Sequence, residues 1–324
     1  MKLATLNNGQ PDGQLILVSR DLTLAADASD LAPHLHGALE RWADVAPALQ
    51  ERFEQLDARR YAAFPFEPRQ CMAPLPRAYQ WCDGSAFLHH GRLLEKAFKH
   101  PPRENFETIP LMYQGGSDDF LGPHDRVPMR DESMGIDFEG EFVVITDRVP
   151  MGCDANSALD HVRLIGQAND WSLRALVPRE MNTGFGFFQS KPSTSFAPVV
   201  VTPDELGEDW RAGRVHLDLH IEWNGRWFGH PRGDAMHFHF GELVAHAART
   251  RRLCAGTVIG SGTVSNDRPG VGSACIAEKR VIEIIDQGAP TTMFMKFGDT
   301  VRMQARNARG EAPFGAIEQA VVQA

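Results

Sequence analysis

Between Asp137 and Thr146 the chain reads Asp-Phe-Glu-Gly-Glu-Phe-Val-Val-Ile-Thr, a run whose aromatic and β-branched residues fit an extended strand. Side chains of a strand alternate, so Glu139 and Glu141 share one face with Val143 and Ile145. The two carboxylates then stand about 6.6 Å apart along the backbone. Like charges pressed against an apolar wall repel, raise one another's pKa, or share a cation, and an oxygen-only cluster suits Mg²⁺, Mn²⁺ or Ca²⁺ better than zinc. Two other acidic segments could meet this strand: Ser117-Asp118-Asp119-Phe120 and Asn169-Asp170-Trp171-Ser172.

The rest of the chain supplies the frame. Apolar runs over 2–7 and 14–19, separated by Asn8-Gly9-Gln10-Pro11-Asp12-Gly13, read as a hairpin. Leu31, Leu35, Leu39 and Trp42, then Leu49, Phe53 and Leu56, recur at helical spacing, with Pro47 placed to open a second helix that covers the hairpin. Pro65, Pro68, Pro74 and Pro76 mark a junction, which divides the chain into a small N-terminal unit over 1–72 and a larger one over 73–324. Beyond residue 105 strands are expected at 142–146, 199–201, 215–221, 281–285 and 300–303, with helices around 160–172 and 242–252. Helices do not alternate regularly with these strands, which argues against a doubly wound α/β sheet and for an α+β, mainly β fold.

Composition removes other classes. A formal net charge of −9 disfavours nucleic acid or an anionic membrane as the main partner, since both require cationic surfaces. Arg249, Arg251 and Arg252 form only a short cluster that suits a helix C-terminus. Five scattered cysteines without CxxC spacing point to free thiols in a reducing compartment, and Cys153 has no activating base beside it. No apolar stretch reaches secretory-signal or membrane-span length, so a cytoplasmic protein is expected. There is no Gly-x-Ser-x-Gly elbow, Walker loop or dinucleotide fingerprint.

The runs Tyr113-Gln114-Gly115-Gly116-Ser117-Asp118-Asp119-Phe120, Ile136-Asp137-Phe138-Glu139-Gly140-Glu141, Gln167-Ala168-Asn169-Asp170-Trp171-Ser172 and Ile259-Gly260-Ser261-Gly262-Thr263-Val264 occur in the order found in the fumarylacetoacetate hydrolase family. The resemblance covers about residues 72–320 and implies a mixed β-sandwich roll behind a small N-terminal α/β unit, assembled as a homodimer. It implies that Asp119, Glu139, Glu141 and Asp170 hold one Mg²⁺, Ca²⁺ or Mn²⁺, leaving two positions of a six-coordinate ion for substrate oxygens. The implied substrate is a small dicarbonyl acid of the acylpyruvate, fumarylpyruvate or fumarylacetoacetate kind. The implied reaction is hydrolysis of a carbon–carbon bond in a ketonic substance, in aromatic or tyrosine catabolism.

By the same resemblance His124 is the water-activating base with Glu278 as its partner, and Lys191 supports the developing oxyanion. The resemblance also implies that Gly262 and Thr263 form a turn against substrate oxygens; Arg174, at i+4 from Asp170, is expected to pair with that carboxylate or with the substrate acid, or to be an exposed helix arginine. Leu121 and Val177 stand where the family carries a tyrosine and a glutamine. Decarboxylation of an oxaloacetate-like acid, isomerisation of a hydroxydienoate, and a catalytically silent metal-binding protein are the alternatives on the same ligands. A rival cluster, His230, His237, His239, Glu242 and His246, is reminiscent of a jelly-roll metal site, but its alternation with Phe238 and Phe240 equally describes the polar side of a strand entering a helix.

Overall fold

A computed structural model of the chain describes residues 1–98, 101 and 104–324. Its framework is a mixed sheet running from edge to edge through Phe64–Pro65, Leu24–Asp27, Gln14–Val18, Lys2–Leu6, Val199–Val201, Val162–Asn169, Gly140–Thr146, Thr257–Gly260, Trp81–Gly84 and Met112–Gly115. Ser195–Phe196 pairs with Val162–Asn169 beside this path. A second sheet runs Arg226–Gly229, Asp218–Trp223, Thr300–Arg306, Ile317–Gln323, Val127–Met129. The fold is α+β and mainly β, with the two sheets facing each other as expected.

Both faces of the large sheet are covered. Phe142 and Val144 point into an apolar cluster shared with Leu219, Ile221 and Met303 of the second sheet. Val143, Ile145, Leu164 and Val258 point the other way, into a cluster with Leu35, Leu39, Leu49 and Phe53 of the helices Leu35–Glu40 and Trp42–Asp57. The glycine between the two glutamates follows from this layering. A Cβ on Gly140 would stand 2.8 Å from Leu219 Cδ2 and 3.0 Å from Ile221 Cδ1, so the second sheet packs onto bare backbone while Glu139 and Glu141 face away from it.

The N-terminal hairpin forms with Leu3 opposite Leu17. Its first strand also pairs with Val199–Val201, so the small N-terminal unit extends the large sheet. Pro47 lies inside the helix Trp42–Asp57, not at its start.

The strand expected at 215–221 is divided between Arg214–Val215 and Asp218–Trp223, and two further elements change type. The helix expected around 160–172 is the strand Val162–Asn169, flanked by Gly140–Thr146 and Val199–Val201 and buried on both faces from Leu164 onward; Arg163, Gln167 and Asn169 interrupt its apolar residues, so it carries no clean alternation. The strand expected at 281–285 belongs to the helix Ile276–Gln287, capped at its start by Cys275 and ended by Gly288 in the left-handed region. There Val281, Ile284 and Ile285 form a stripe, not an alternation. Among the described residues no helix is long and apolar enough to cross a membrane.

Candidate metal centre

Sheet order brings together acids that are far apart in sequence. Thr257–Gly260 lies between Gly140–Thr146, with Gly260 opposite Val143, and Trp81–Gly84, with Gly260 opposite Asp83. On the other side Ala168 stands opposite Glu141, which leaves Asp170 just past the strand end, its amide donating to the Glu139 carbonyl at 2.9 Å. Asp83, Glu139, Glu141 and Asp170 are all buried, and one carboxylate oxygen from each lies within 4.8 Å of the others.

The structure therefore corrects one member of the expected quartet. Asp119 is exposed and lies outside it; the neighbouring Phe120 amide donates to the Pro76 carbonyl, and Leu121 bridges to Ser195. Asp83 takes the fourth place. A signal for it was present, because Asp83 is the one acid in the run from Ala78 to His90, set between Trp81, Cys82 and Phe87. An isolated acid in an apolar strand needs a partner.

Partners are unevenly distributed. Asp170 accepts from Tyr113 Oη at 2.6 Å, Lys191 Nζ at 2.6 Å and Thr194 Oγ1 at 2.8 Å. Glu139 accepts from Lys191 Nζ at 2.9 Å and from Arg174 Nη2. Burial alone would raise the Glu139 pKa, but the Lys191 and Arg174 cations outweigh it and hold the carboxyl below its ordinary range. Burial likewise works against the Lys191 charge, and Asp170 and Glu139 overcome it and keep the ammonium protonated. Tyr113 is pushed up by burial and by Asp170, so it remains a hydroxyl donor.

Glu141 is the opposite case. Both of its carboxylate oxygens are buried and receive no hydrogen bond among the described residues, and the group it faces is another acid, Asp83. Burial, and then the charges of neighbouring carboxylates, raise both groups well above the usual range. A hard dication fits this donor set: it would satisfy the two orphaned oxygens and neutralise like charges on Asp83 and Glu141, whereas the ion pairs of Arg174 and Lys191 go to Asp137, Glu139 and Asp170.

Glu278 meets a different histidine from the one expected. Buried in the first turn of Ile276–Gln287, it lies 2.8 Å from His90 Nδ1 on the helix Leu88–Phe98. His124 instead lies 3.8 Å from Glu318 in the second sheet, away from Glu278, and its pKa is lowered by burial and by Arg69. Arg174 pairs with Asp137 and Glu139, not with Asp170. Gly262 donates its amide to Asp83 Oδ1 at 3.1 Å; its φ of +75° and a Cβ position 2.4 Å from the Gly84 carbonyl leave room for glycine alone. Thr263 beside it is buried.

The rival histidines are otherwise engaged. His239 and Glu242 form a capping box at the start of Phe240–Ala247, and His237 Nε2 lies 2.9 Å from the Glu107 carbonyl. Among the described residues the carboxylate quartet is the group with metal-ligand geometry.

Residues 80–322 match the family model for the fumarylacetoacetate (FAA) hydrolase C-terminal region, and residues 1–77 match fumarylacetoacetase N-terminal domain 2. A 2,4-didehydro-3-deoxy-L-rhamnonate hydrolase of Sphingomonas sp. is 25% identical over 199 residues, 60% of this chain. The chain spans 61% of the length of the curated relatives it matches. Fumarylacetoacetate hydrolase from psychrophilic Exiguobacterium antarcticum shares the fold with a TM-score of 0.69 at 17% identity, over 100% of both chains. Maleylpyruvate hydrolase from Sphingobium sp. SYK-6, in complex with manganese(II) and pyruvate, does so with a TM-score of 0.67 at 16% identity, over 100% of this chain and 99% of that one.

Proposed function

This chain belongs to the fumarylacetoacetate hydrolase family, and from that premise we propose that it is a dication-dependent hydrolase cleaving a carbon–carbon bond of a 2,4-dioxo acid of the acylpyruvate, fumarylpyruvate or fumarylacetoacetate type. The observation that carries the reading is the convergence of Asp83, Glu139, Glu141 and Asp170, with the Glu141 oxygens lacking any donor. Mg²⁺, Mn²⁺ or Ca²⁺ held by those four residues supplies Lewis-acid polarisation of the substrate's keto oxygens. Manganese and pyruvate in the maleylpyruvate hydrolase structure fit that choice of ion and of substrate head.

The chain's own groups supply the rest. His90 donates from Nδ1 to the buried Glu278, which fixes the tautomer and leaves Nε2 to take a proton from water; Glu278 then stabilises the imidazolium. Lys191 pairs with Glu139 and Asp170, holds the Glu139 carboxyl in its ionised form, and places a positive charge where negative charge develops. Gly262 donates its amide to Asp83, and Thr263, next along the same turn, is the proposed hydroxyl donor to substrate oxygens. Homodimer assembly is part of the same proposal and is read by light scattering.

Incubation with Mn²⁺ and, separately, an acylpyruvate, fumarylpyruvate, oxaloacetate and a 2-hydroxydienoate tests the reaction, with loss of the dicarbonyl absorbance as the readout. Hydrolysis of a dioxo acid that His90→Ala abolishes supports the proposal. Turnover of oxaloacetate or the dienoate alone, insensitive to His90→Ala, replaces it with decarboxylation or isomerisation, and no turnover of any substrate with Mn²⁺ bound replaces it with a silent metal-binding protein.

A further inference from the structure

We propose that Arg174 and Asp137 are positioning residues that hold the His90–Glu278 pair in register with the carboxylate quartet, a role that rests on the catalytic reading of that pair given above. Asp137 lies in the short strand Ile136–Asp137, whose pairing with Ser172–Leu173 sets Ser172 opposite it and delivers Arg174 to its side. The Asp137 carboxylate is fully buried. Its Oδ1 accepts from the Ile276 amide at 2.7 Å, and its Oδ2 accepts from the Ala277 amide at 2.9 Å and from Arg174 Nε at 2.7 Å.

Those two amides open the helix Ile276–Gln287. The first amides of a helix have no carbonyl within it, and a carboxylate is the acceptor that its N-terminal dipole favours. The third, that of Glu278, donates to Cys275 Sγ at 3.3 Å. All three amides of the first turn are thereby tied to fixed acceptors, and the next atoms along are the Glu278 side chain and its 2.8 Å contact with His90. From the other end of the same guanidinium, Nη2 donates to Glu139.

A continuous path of partly buried, charge-assisted hydrogen bonds therefore runs from Glu139 through Arg174 and Asp137 to the helix that presents Glu278. The planar guanidinium fork fixes both carboxylates in one geometry. The backbone adds a second tie, Gly140 N donating to the Ala274 carbonyl at 3.0 Å. The function of such a strut is alignment, and a misplacement of about 1 Å between a base and the reacting atoms costs on the order of 100-fold in rate.

Asp137→Asn keeps the shape of the side chain and removes its charge. In the Mn²⁺-loaded protein the expected result is a kcat lower by about 10- to 100-fold, with KM and Mn²⁺ affinity by calorimetry within about threefold of the parent. In the metal-free protein the downfield imidazole Nδ1 proton of His90, identified by its loss in His90→Ala, shifts or broadens in the variant. An unchanged kcat, or a loss expressed entirely in KM or in Mn²⁺ affinity, overturns the proposal. If Asp137→Asn does not fold, Arg174→Lys, which keeps the cation but loses the two-point fork, is read by the His90 proton alone, because Arg174 also touches Glu139: a shifted or broadened signal supports the strut and an unaltered one overturns it. If the parent hydrolyses no dioxo acid, the proposed function fails, and the His90 proton decides the strut without any substrate: unaltered in the variant, it refutes the coupling.

Discussion

Replacing Asp83 with Asn and, separately, Asp119 with Asn separates the geometry of the structure from the pattern of the sequence. At 4.8 Å, the outer limit of the cluster, two charged carboxylates repel by about 3.5 kcal/mol at an effective dielectric constant near 20. With no cation bound, Asp83 and Glu141 relieve that repulsion because both are pushed toward protonation. Removing the Asp83 charge therefore costs the metal-free fold little, about 1 kcal/mol or less, because Asn still accepts the Gly262 amide. With a dication the balance reverses. At an ion concentration 100 times the parent's Kd, binding stabilises the fold by about 2.7 kcal/mol, and a 100-fold weaker site leaves about 0.4 kcal/mol. Unfolding entropy scales to about 0.7 kcal/mol/K for 324 residues, so a Tm rise of about 4 °C should shrink below 1 °C. Calorimetric scans with chelator and with Mn²⁺ make the comparison. Asp119→Asn should match the parent in both; retention of the ion-induced rise in Asp83→Asn, or its loss in Asp119→Asn, refutes the assignment.

His90→Ala should lower kcat by about 100-fold or more, whereas His124→Ala should stay within about twofold of the parent in steady-state assays. Glu283, whose pKa is held at about 2 against burial by the hydroxyl and amide of Thr292 and by the Thr291 amide, contributes stability that is full above its unfolded value of 4.5 and is lost as pH falls toward 2. Glu283→Gln should therefore destabilise by about 1–3 kcal/mol in urea titrations at pH 7, with a smaller difference at pH 3. Gly262→Ala, forcing a Cβ to 2.4 Å from the Gly84 carbonyl at positive φ, should cost about 2–3 kcal/mol and weaken the ion-induced rise in Tm.

What was legible in the sequence is what local physics determines. Alternation fixed the faces of Glu139 and Glu141, turn residues fixed the N-terminal hairpin, and the Asn-Asp-Trp segment lies where its acid reaches the pair. Errors arose where local pattern carries no information about neighbours. Val162–Asn169 is buried on both faces from Leu164 onward because strands flank it and layers cover it, and Arg163, Gln167 and Asn169 fall among its apolar residues without a strand period. Asp119 and His124 carry the expected residue types a few positions apart, yet their segment is drawn to Pro76, Ser195 and Glu318 by pairings that span the chain. Asp83 and His90, seven residues apart, have the same relation as the expected acid and histidine. They occupy the short strand Trp81–Gly84 and the helix Leu88–Phe98, and only the sheet order identifies them.

The place of Thr257–Gly260 between Gly140–Thr146 and Trp81–Gly84 has a consequence for how the centre comes into being. A ribosome has added all four acids once Asp170 is made, but nothing can seat Asp83 beside Glu141 until the intervening strand, some ninety residues later, has emerged and zipped in on both sides. On the proposed reading a cation would be held only after Thr257–Gly260 has paired with both neighbours, and fragments truncated before residue 257 should show no ion-dependent protection from proteolysis.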